Sequence, residues 1–108
     1  MSAAADGLQP FRDRLDLIDD EIARLLGERF QICREVAVYK SEHEIPMMQP
    51  GRVEIVRQRY LDRGAAARLP AEFTAALFDL LIAATCREED ELMAELERDR
   101  GAPGRRAA

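Results

Sequence analysis

The sequence contains little cysteine and histidine, and this shortage limits the chemistry open to it. Its only cysteines, Cys33 and Cys86, do not have the spacing of a CxxC pair or of a Cys/His metal site. The sequence also has neither a glycine-rich phosphate loop nor a nucleophile elbow. We therefore expect two reduced, packed cysteines, and we predict neither a metal site nor covalent catalysis.

Excess positive charge and long apolar runs are missing as well. The chain has 21 acidic and 16 basic side chains, and the net charge of -5 argues against a nucleic-acid-binding protein. No apolar run is long enough to span a membrane, and the first residues lack the basic and apolar segments of a secretory signal. We expect a cytoplasmic protein that binds neither nucleic acid nor membrane.

A long amphipathic helix dominates the first half of the sequence. Apolar residues recur three and four positions apart and predict one helix from residue 8 to about residue 41: Leu8, Phe11, Leu15, Ile18, Ile22, Leu25, Ile32, Val36 and Tyr39. Such a helix is about 50 Å long, whereas a globule of this size is about 30 Å across. The helix therefore needs a partner, most simply a second copy of the chain in a two-fold dimer.

The second half predicts two shorter helices and no strand. The segment HEIPMMQPG breaks the first helix, and Pro50 begins the second, which we expect to end near residue 63 at Gly64. Pro70 begins a third helix that extends to about residue 98, with an inward seam of Phe73, Leu77, Leu80 and Ala84. The prediction is one all-α domain over residues 8–98, between a frayed N-terminus (1–7) and a disordered tail (99–108).

Cationic side chains interrupt the apolar seam of the first helix. Arg29 lies four residues after Leu25 and three before Ile32, where a buried guanidinium costs several kcal/mol unless an anion meets it. Lys40 follows three turns later on nearly the same face, so both side chains can reach one anion. Arg12 lies about 25 Å from Arg29 along the helix and can serve the same small ligand only across a dimer interface.

Polar residues also interrupt the other two helices. On the third helix, Thr85 and Glu89 belong to a stripe at helical spacing that contains Phe78, Leu81, Thr85, Glu89, Leu92 and Leu96. On the second, Arg52 stands in the first turn beside Gln49. Several cations, an amide, a hydroxyl and one carboxylic acid suit a site that binds a small dianion and stabilises charge that shifts during a reaction.

These residues resemble the AroQ class of chorismate mutases, the all-helical type II family. The resemblance covers residues 8 to 96, and its most specific part is the pattern FRxxLDxID…LLxxR…VxxYK of the first helix. It implies a three-helix fold that forms an intertwined homodimer with active sites shared between chains. It also implies a cofactor-free 3,3-sigmatropic rearrangement of a chorismate-like dianion.

The resemblance assigns roles to individual residues. It implies that Arg29 and the other chain's Arg12 bind one substrate carboxylate, and that Arg52 and Thr85 hold the second. Lys40 would donate to the ether oxygen as its bond to carbon breaks. Glu89 faces the same oxygen and must be protonated to donate, which implies a pKa raised by burial.

Two positions depart from the common pattern of the family. Val53 occupies the place of a glutamate that binds the C4 hydroxyl, and Gln49 occupies the place of an aspartate. The segments IPMMQPGRV and CREED resemble the branch that rearranges 4-amino-4-deoxychorismate. The resemblance therefore leaves two substrates open, chorismate and its 4-amino-4-deoxy analogue.

Two alternatives to a mutase are also open. One is an isochorismate pyruvate lyase, which shares the fold but differs in its loop. The other is a non-catalytic helical dimerisation module, in which Arg29 would pair with Glu28 or Asp20 across a coiled coil. Leucine at position 29 would strengthen such a module but would abolish the enzyme.

Overall fold

The protein is all-helical in the part of the chain that the structure describes. The computed structural model describes residues 3–101, in which a single turn precedes three long helices and no strand occurs. The helices are α1 (Ala3–Asp6), α2 (Gln9–Glu42), α3 (Pro50–Ala66) and α4 (Ala71–Gly101). The prediction of an all-α fold with three long helices is confirmed. None of the helices within this range is long and apolar enough to cross a membrane.

The two ends of the described range differ from the expectation. Residues 3–6 form a helical turn where we expected a frayed segment, because alanine has the highest helix propensity. Similarly, α4 continues to Gly101, three residues beyond the expected end. The remainder of the expected tail, residues 102–108, lies outside the described residues.

Helix α2 extends through two compact units, which divide between Ile32 and Cys33. In the first unit its apolar stripe is largely exposed within the single chain: Phe11, Leu15 and Ile18 keep 58%, 57% and 55% of their surface accessible. An exposed apolar row of this length is unusual for a monomeric protein.

The core of the second unit contains α3 and α4, which are in contact. Phe78 of α4 is its largest fully buried side chain and meets Tyr60 of α3 edge to face, with 4.9 Å between the ring centroids. The last turns of α2 contribute the buried residues Ala37 and Ser41. This core fixes the helices that carry Lys40 and Glu89.

The buried row of α4 differs from the predicted seam. Phe73 and Leu80 were expected to face inward, but they are 53% and 68% exposed in the single chain. The buried row consists instead of Thr74, Phe78, Leu81, Thr85 and Glu89. Three of its five members are polar, so a pattern built on apolar residues alone selects the wrong face. The separately predicted polar step of Thr85 and Glu89 does lie on the buried row.

Gly64 does not end α3, contrary to the prediction. The helix continues to Ala66 and ends where Arg68 adopts a left-handed conformation, with φ of 63°. The Leu69 N–H donates to the Gly64 carbonyl at 2.9 Å, and the Arg68 N–H donates to the Ala65 carbonyl at 3.0 Å. These two bonds form a Schellman motif, which usually places glycine where Arg68 stands. Gly64 instead allows a close approach between helices.

We expect Gly64→Ala to destabilise the protein by about 1–3 kcal/mol, because the added carbon has no space. A Cβ at this position would lie 2.5 Å from Thr74 Oγ1 and 2.8 Å from Thr74 Cγ2. Thermal unfolding monitored by circular dichroism measures the effect. Gly51→Ala is the control in the same helix, because nothing lies within 4 Å of its Cβ. An equal loss in a Thr74→Ala background would show that this contact is not the cause.

Candidate active site

A largely buried ion pair joins the end of α2 to the middle of α4. Lys40 Nζ lies 3.8 Å from Glu89 Oε1, and the two side chains are 17% and 10% exposed. Lys40 also donates a hydrogen bond of 2.7 Å to the Met47 carbonyl in the loop before α3. The structure therefore brings two of the predicted catalytic residues together, with the ammonium held between the carboxyl group of Glu89 and the backbone carbonyl of Met47.

Thr85 lies one turn before Glu89 on the same face of α4 and is only 2% exposed. Its hydroxyl donates to the Leu81 carbonyl at 2.8 Å, and the Ile82 carbonyl lies at 3.4 Å. Threonine often makes this bond to the preceding turn. The hydroxyl must rotate away from Leu81 before it can donate to a bound substrate.

Three further predicted residues stand at the start of α3. Gln49 precedes the helix, and its backbone carbonyl accepts bonds from the Arg52 and Val53 N–H groups at 3.0 and 3.2 Å. Its side-chain Nε2 donates to the Pro46 carbonyl at 3.2 Å. Arg52 is exposed and Val53 is half-buried. The loop that accepts a bond from Lys40 thus leads directly into these three residues.

The remaining two predicted residues lie earlier on α2. Arg29 is half-buried and Arg12 is exposed. Both belong to the first compact unit, whereas Lys40 and Glu89 belong to the second. Their roles stay a prediction from the resemblance.

An open groove of about 740 Å³ borders Lys40 on the side of the α4 C-terminus. Ser41, Ile45, Met93 and Arg100 are among its lining residues, but Thr85 and Glu89 are not. The groove therefore touches the predicted set only at Lys40.

Sequence reasoning missed two features near the ion pair. The first is the Met47 carbonyl, which as a backbone group leaves no signal in the sequence. The second is an ion pair between Arg34 of α2 and Glu88 of α4, whose side chains are 43% and 36% exposed. The run of charged residues around Glu88 is typical of a solvated helix face, so it did not single out that residue.

Neither Cys33 nor Cys86 forms a disulfide in the structure, and both are half-buried. Burial is the main cause that raises the pKa of the Cys86 thiol, and the negative charges of Glu89 and Asp90 raise it further. The positive charge of Lys40 acts in the opposite direction. The pKa of the Cys86 thiol therefore depends on the charges of Lys40 and Glu89.

We expect Cys86 to react slowly with iodoacetamide, because only the thiolate reacts and a raised pKa reduces its population near neutral pH. Mass spectrometry of a Cys33→Ser variant isolates this thiol, and the urea-unfolded chain supplies the unshifted reference. Glu89→Gln removes one charge that disfavours the thiolate, so alkylation of the folded variant should be faster at alkaline pH. Equal rates in the folded and unfolded chains would contradict the expectation.

The described residues hold no group of three or more side chains suited to bind a metal ion. The arrangement instead offers an ammonium and a carboxyl group in a nearly dry setting. Such groups can stabilise charge that develops on one substrate atom.

Comparison with known proteins agrees with the predicted resemblance. The family described as chorismate mutase type II matches residues 11–90. A 4-amino-4-deoxychorismate mutase of Streptomyces venezuelae is 38% identical over 86 residues, which cover 80% of this chain and 84% of that protein. A protein of the same name from Streptomyces pristinaespiralis is 37% identical over 93 residues, covering 86% of this chain and 72% of that protein.

The matched range contains Arg12, Arg29, Lys40, Thr85 and Glu89, as well as the start of α3. The resemblance predicted from the sequence is thereby confirmed at the level of the family and of the reaction type. The chain belongs to the chorismate mutase type II family and is an isomerase of the chorismate mutase type.

Proposed function

We propose that the protein rearranges 4-amino-4-deoxychorismate to 4-amino-4-deoxyprephenate. The similarity to two proteins named for this substrate, over more than two thirds of each chain, carries the proposal. The residue at position 53 supports this proposal. The half-buried apolar side chain of Val53 stands where the resemblance expects a glutamate that binds the C4 hydroxyl of chorismate. Chorismate is the second candidate, favoured by the family description.

The Lys40–Glu89 pair supports a role for both residues at the ether oxygen of the substrate. With 3.8 Å between Nζ and Oε1, one oxygen atom can lie about 2.9 Å from each of them. Negative charge gathers on the ether oxygen as the C–O bond breaks. The Lys40 ammonium and a protonated Glu89, as two donors at this distance, stabilise the transition state more than the ground state. The enzyme needs no covalent intermediate for this step.

The remaining residues bind the substrate in its folded, reactive conformation. Arg29, with Arg12 of the second chain, holds one carboxylate, and Arg52 with Thr85 holds the other. Gln49 and Val53 surround the C4 substituent. Fixing both carboxylates brings the two carbon atoms that form the new bond into near-attack distance. The bound substrate therefore does not pay the entropy cost of reaching this conformation in solution.

A homodimer follows from the same proposal. The stripe of α2 formed by Leu8, Phe11, Leu15, Ile18, Ile22 and Leu25 is 46–58% exposed in the single chain, and a second copy would cover it. Burial of apolar surface stabilises by about 25 cal/mol per Å², so a row of six large side chains supports a stable association.

Glu89→Gln tests the proton that Glu89 must carry. We expect wild-type kcat to fall about tenfold per pH unit above the titration of Glu89, because the carboxylate cannot donate to the ether oxygen. Glutamine keeps N–H donors at every pH, so the variant should lose this decline. Initial rates from acid to alkaline pH measure both profiles. Two profiles of the same shape would argue against a protonated Glu89.

Parallel assays with the two substrates test the proposed specificity. Purified protein receives chorismate and 4-amino-4-deoxychorismate separately, and loss of substrate absorbance gives the rates. Because a rearrangement leaves the mass unchanged, proton NMR identifies the products. We expect kcat/KM to favour the amino compound. A preference for chorismate would assign the second candidate. Release of pyruvate from isochorismate, offered as a third substrate, would indicate a lyase.

A further inference from the structure

Two ion pairs connect α2 to α4 within the second unit. One is the buried pair Lys40–Glu89, and the other is the half-exposed pair in which Arg34 Nε donates to Glu88 Oε1. We propose that the Arg34–Glu88 pair is a positioning element that fixes the rotation of α4 and thereby holds Glu89 and Thr85 in place. The inference rests on the proposed role of the Lys40–Glu89 pair in catalysis.

The placement of the two ion pairs explains why the half-exposed outer pair, Arg34–Glu88, controls the position of Glu89 in the buried inner pair, Lys40–Glu89. Glu88 and Glu89 are consecutive on α4 and project about 100° apart around its axis. On α2, Arg34 and Lys40 lie about 9 Å apart along the helix, with the fully buried Ala37 between them in the sequence. The two ion pairs thus begin at neighbouring residues of α4 and end on α2 at two positions about 9 Å apart along its axis.

Such an arrangement restricts rotation more than a single bond does. A side-chain end lies about 5–6 Å from the axis of its helix, so a rotation of about 20° displaces it by about 2 Å. The 3.8 Å between Lys40 Nζ and Glu89 Oε1 leaves room for one oxygen atom in contact with both groups. A displacement of about 1 Å at a reacting centre can cost about a hundredfold in rate.

The outer pair is poorly suited to a purely stabilising role. Its side chains are 43% and 36% exposed, and exposed ion pairs contribute little to the free energy of unfolding. Arg57 of α3 and Asp79 of α4 form a comparable cross-helix pair with Arg57 also 43% exposed. Because Asp79 lies about 15 Å from Glu89 along α4, this pair supplies a matched control remote from the Lys40–Glu89 pair.

Steady-state kinetics of Arg34→Ala and Glu88→Ala test the inference, with the faster of the two substrates and well below the melting temperature. We expect kcat to fall about five- to twentyfold, because displacement of Glu89 weakens a contact made in the transition state. KM should rise by no more than about threefold, because Thr85 is only one of the groups that hold the substrate. The melting temperature should fall by no more than about 4 °C. The double variant Arg34→Glu/Glu88→Arg rebuilds the pair with reversed charges and should recover at least half of the wild-type kcat.

Arg57→Ala should retain wild-type kcat. The inference is overturned if the Arg34 and Glu88 variants stay within about twofold of wild type, if Arg57→Ala loses as much as they do, or if the charge reversal recovers nothing. An inactive wild-type protein would overturn the proposed function and this inference with it, whereas an active wild type with unaffected variants overturns the inference alone.

Discussion

Replacing Lys40 by alanine should lower kcat by about a hundredfold to a thousandfold, the loss seen when one donor to a developing oxyanion is removed. Lys40 is the only lysine of the sequence, so no neighbouring ammonium can take its place. Its side chain is 17% exposed, and in such a setting water substitutes poorly for a fixed donor. Rates measured at saturating substrate isolate the effect on the chemical step.

A second consequence of the substitution concerns the loop before α3. Lys40→Ala also removes the bond to the Met47 carbonyl, and this carbonyl belongs to the loop that leads into Gln49 and Arg52. KM should therefore rise moderately as well. Arg57→Ala removes a half-exposed cation elsewhere in the same unit and should leave both constants unchanged. Turnover by Lys40→Ala at the wild-type rate would exclude Lys40 from the reaction.

The sequence predicted the helices well because their signals are local. Spacing of apolar residues identified α2 within one or two residues, and Pro50 identified the start of α3. The prediction from sequence failed where tertiary contacts determine the local structure. Gly64 has the appearance of a helix end, yet its function is to let Thr74 approach, and the left-handed cap falls on Arg68, which no turn rule selects.

The contact within the candidate site was predictable where a polar residue interrupts an apolar stripe. Lys40 and Glu89 both carry this signal, and the structure brings them to 3.8 Å from each other. The same stripe argument selected the wrong neighbours on α4, because Phe73 and Leu80 are apolar but exposed in the single chain. Nothing in the sequence indicated that Arg34 pairs with Glu88, since surface helices commonly carry both charges. Only the placement of α2 relative to α4 determines which charges meet.

Mixing two inactive variants should restore activity if each active site uses Arg12 from one chain and Lys40 from the other. Arg12→Ala and Lys40→Ala homodimers each lack one component at both sites. A mixed dimer places both defects in one site and leaves the other intact. Because random reassociation makes about half of the dimers mixed, co-refolding equal amounts should give about one quarter of the wild-type rate.

The matched control for this experiment combines two defects that the structure places within one chain. Lys40 and Glu89 meet inside the same protomer. A mixture of Lys40→Ala with Glu89→Ala leaves every site of the mixed dimer defective, so no recovery is expected. Recovery in the first mixture and not in the second requires a dimer with shared sites, because independent sites within single chains would remain inactive in both. If neither mixture gains activity although mixed dimers form, Arg12 does not act across the interface.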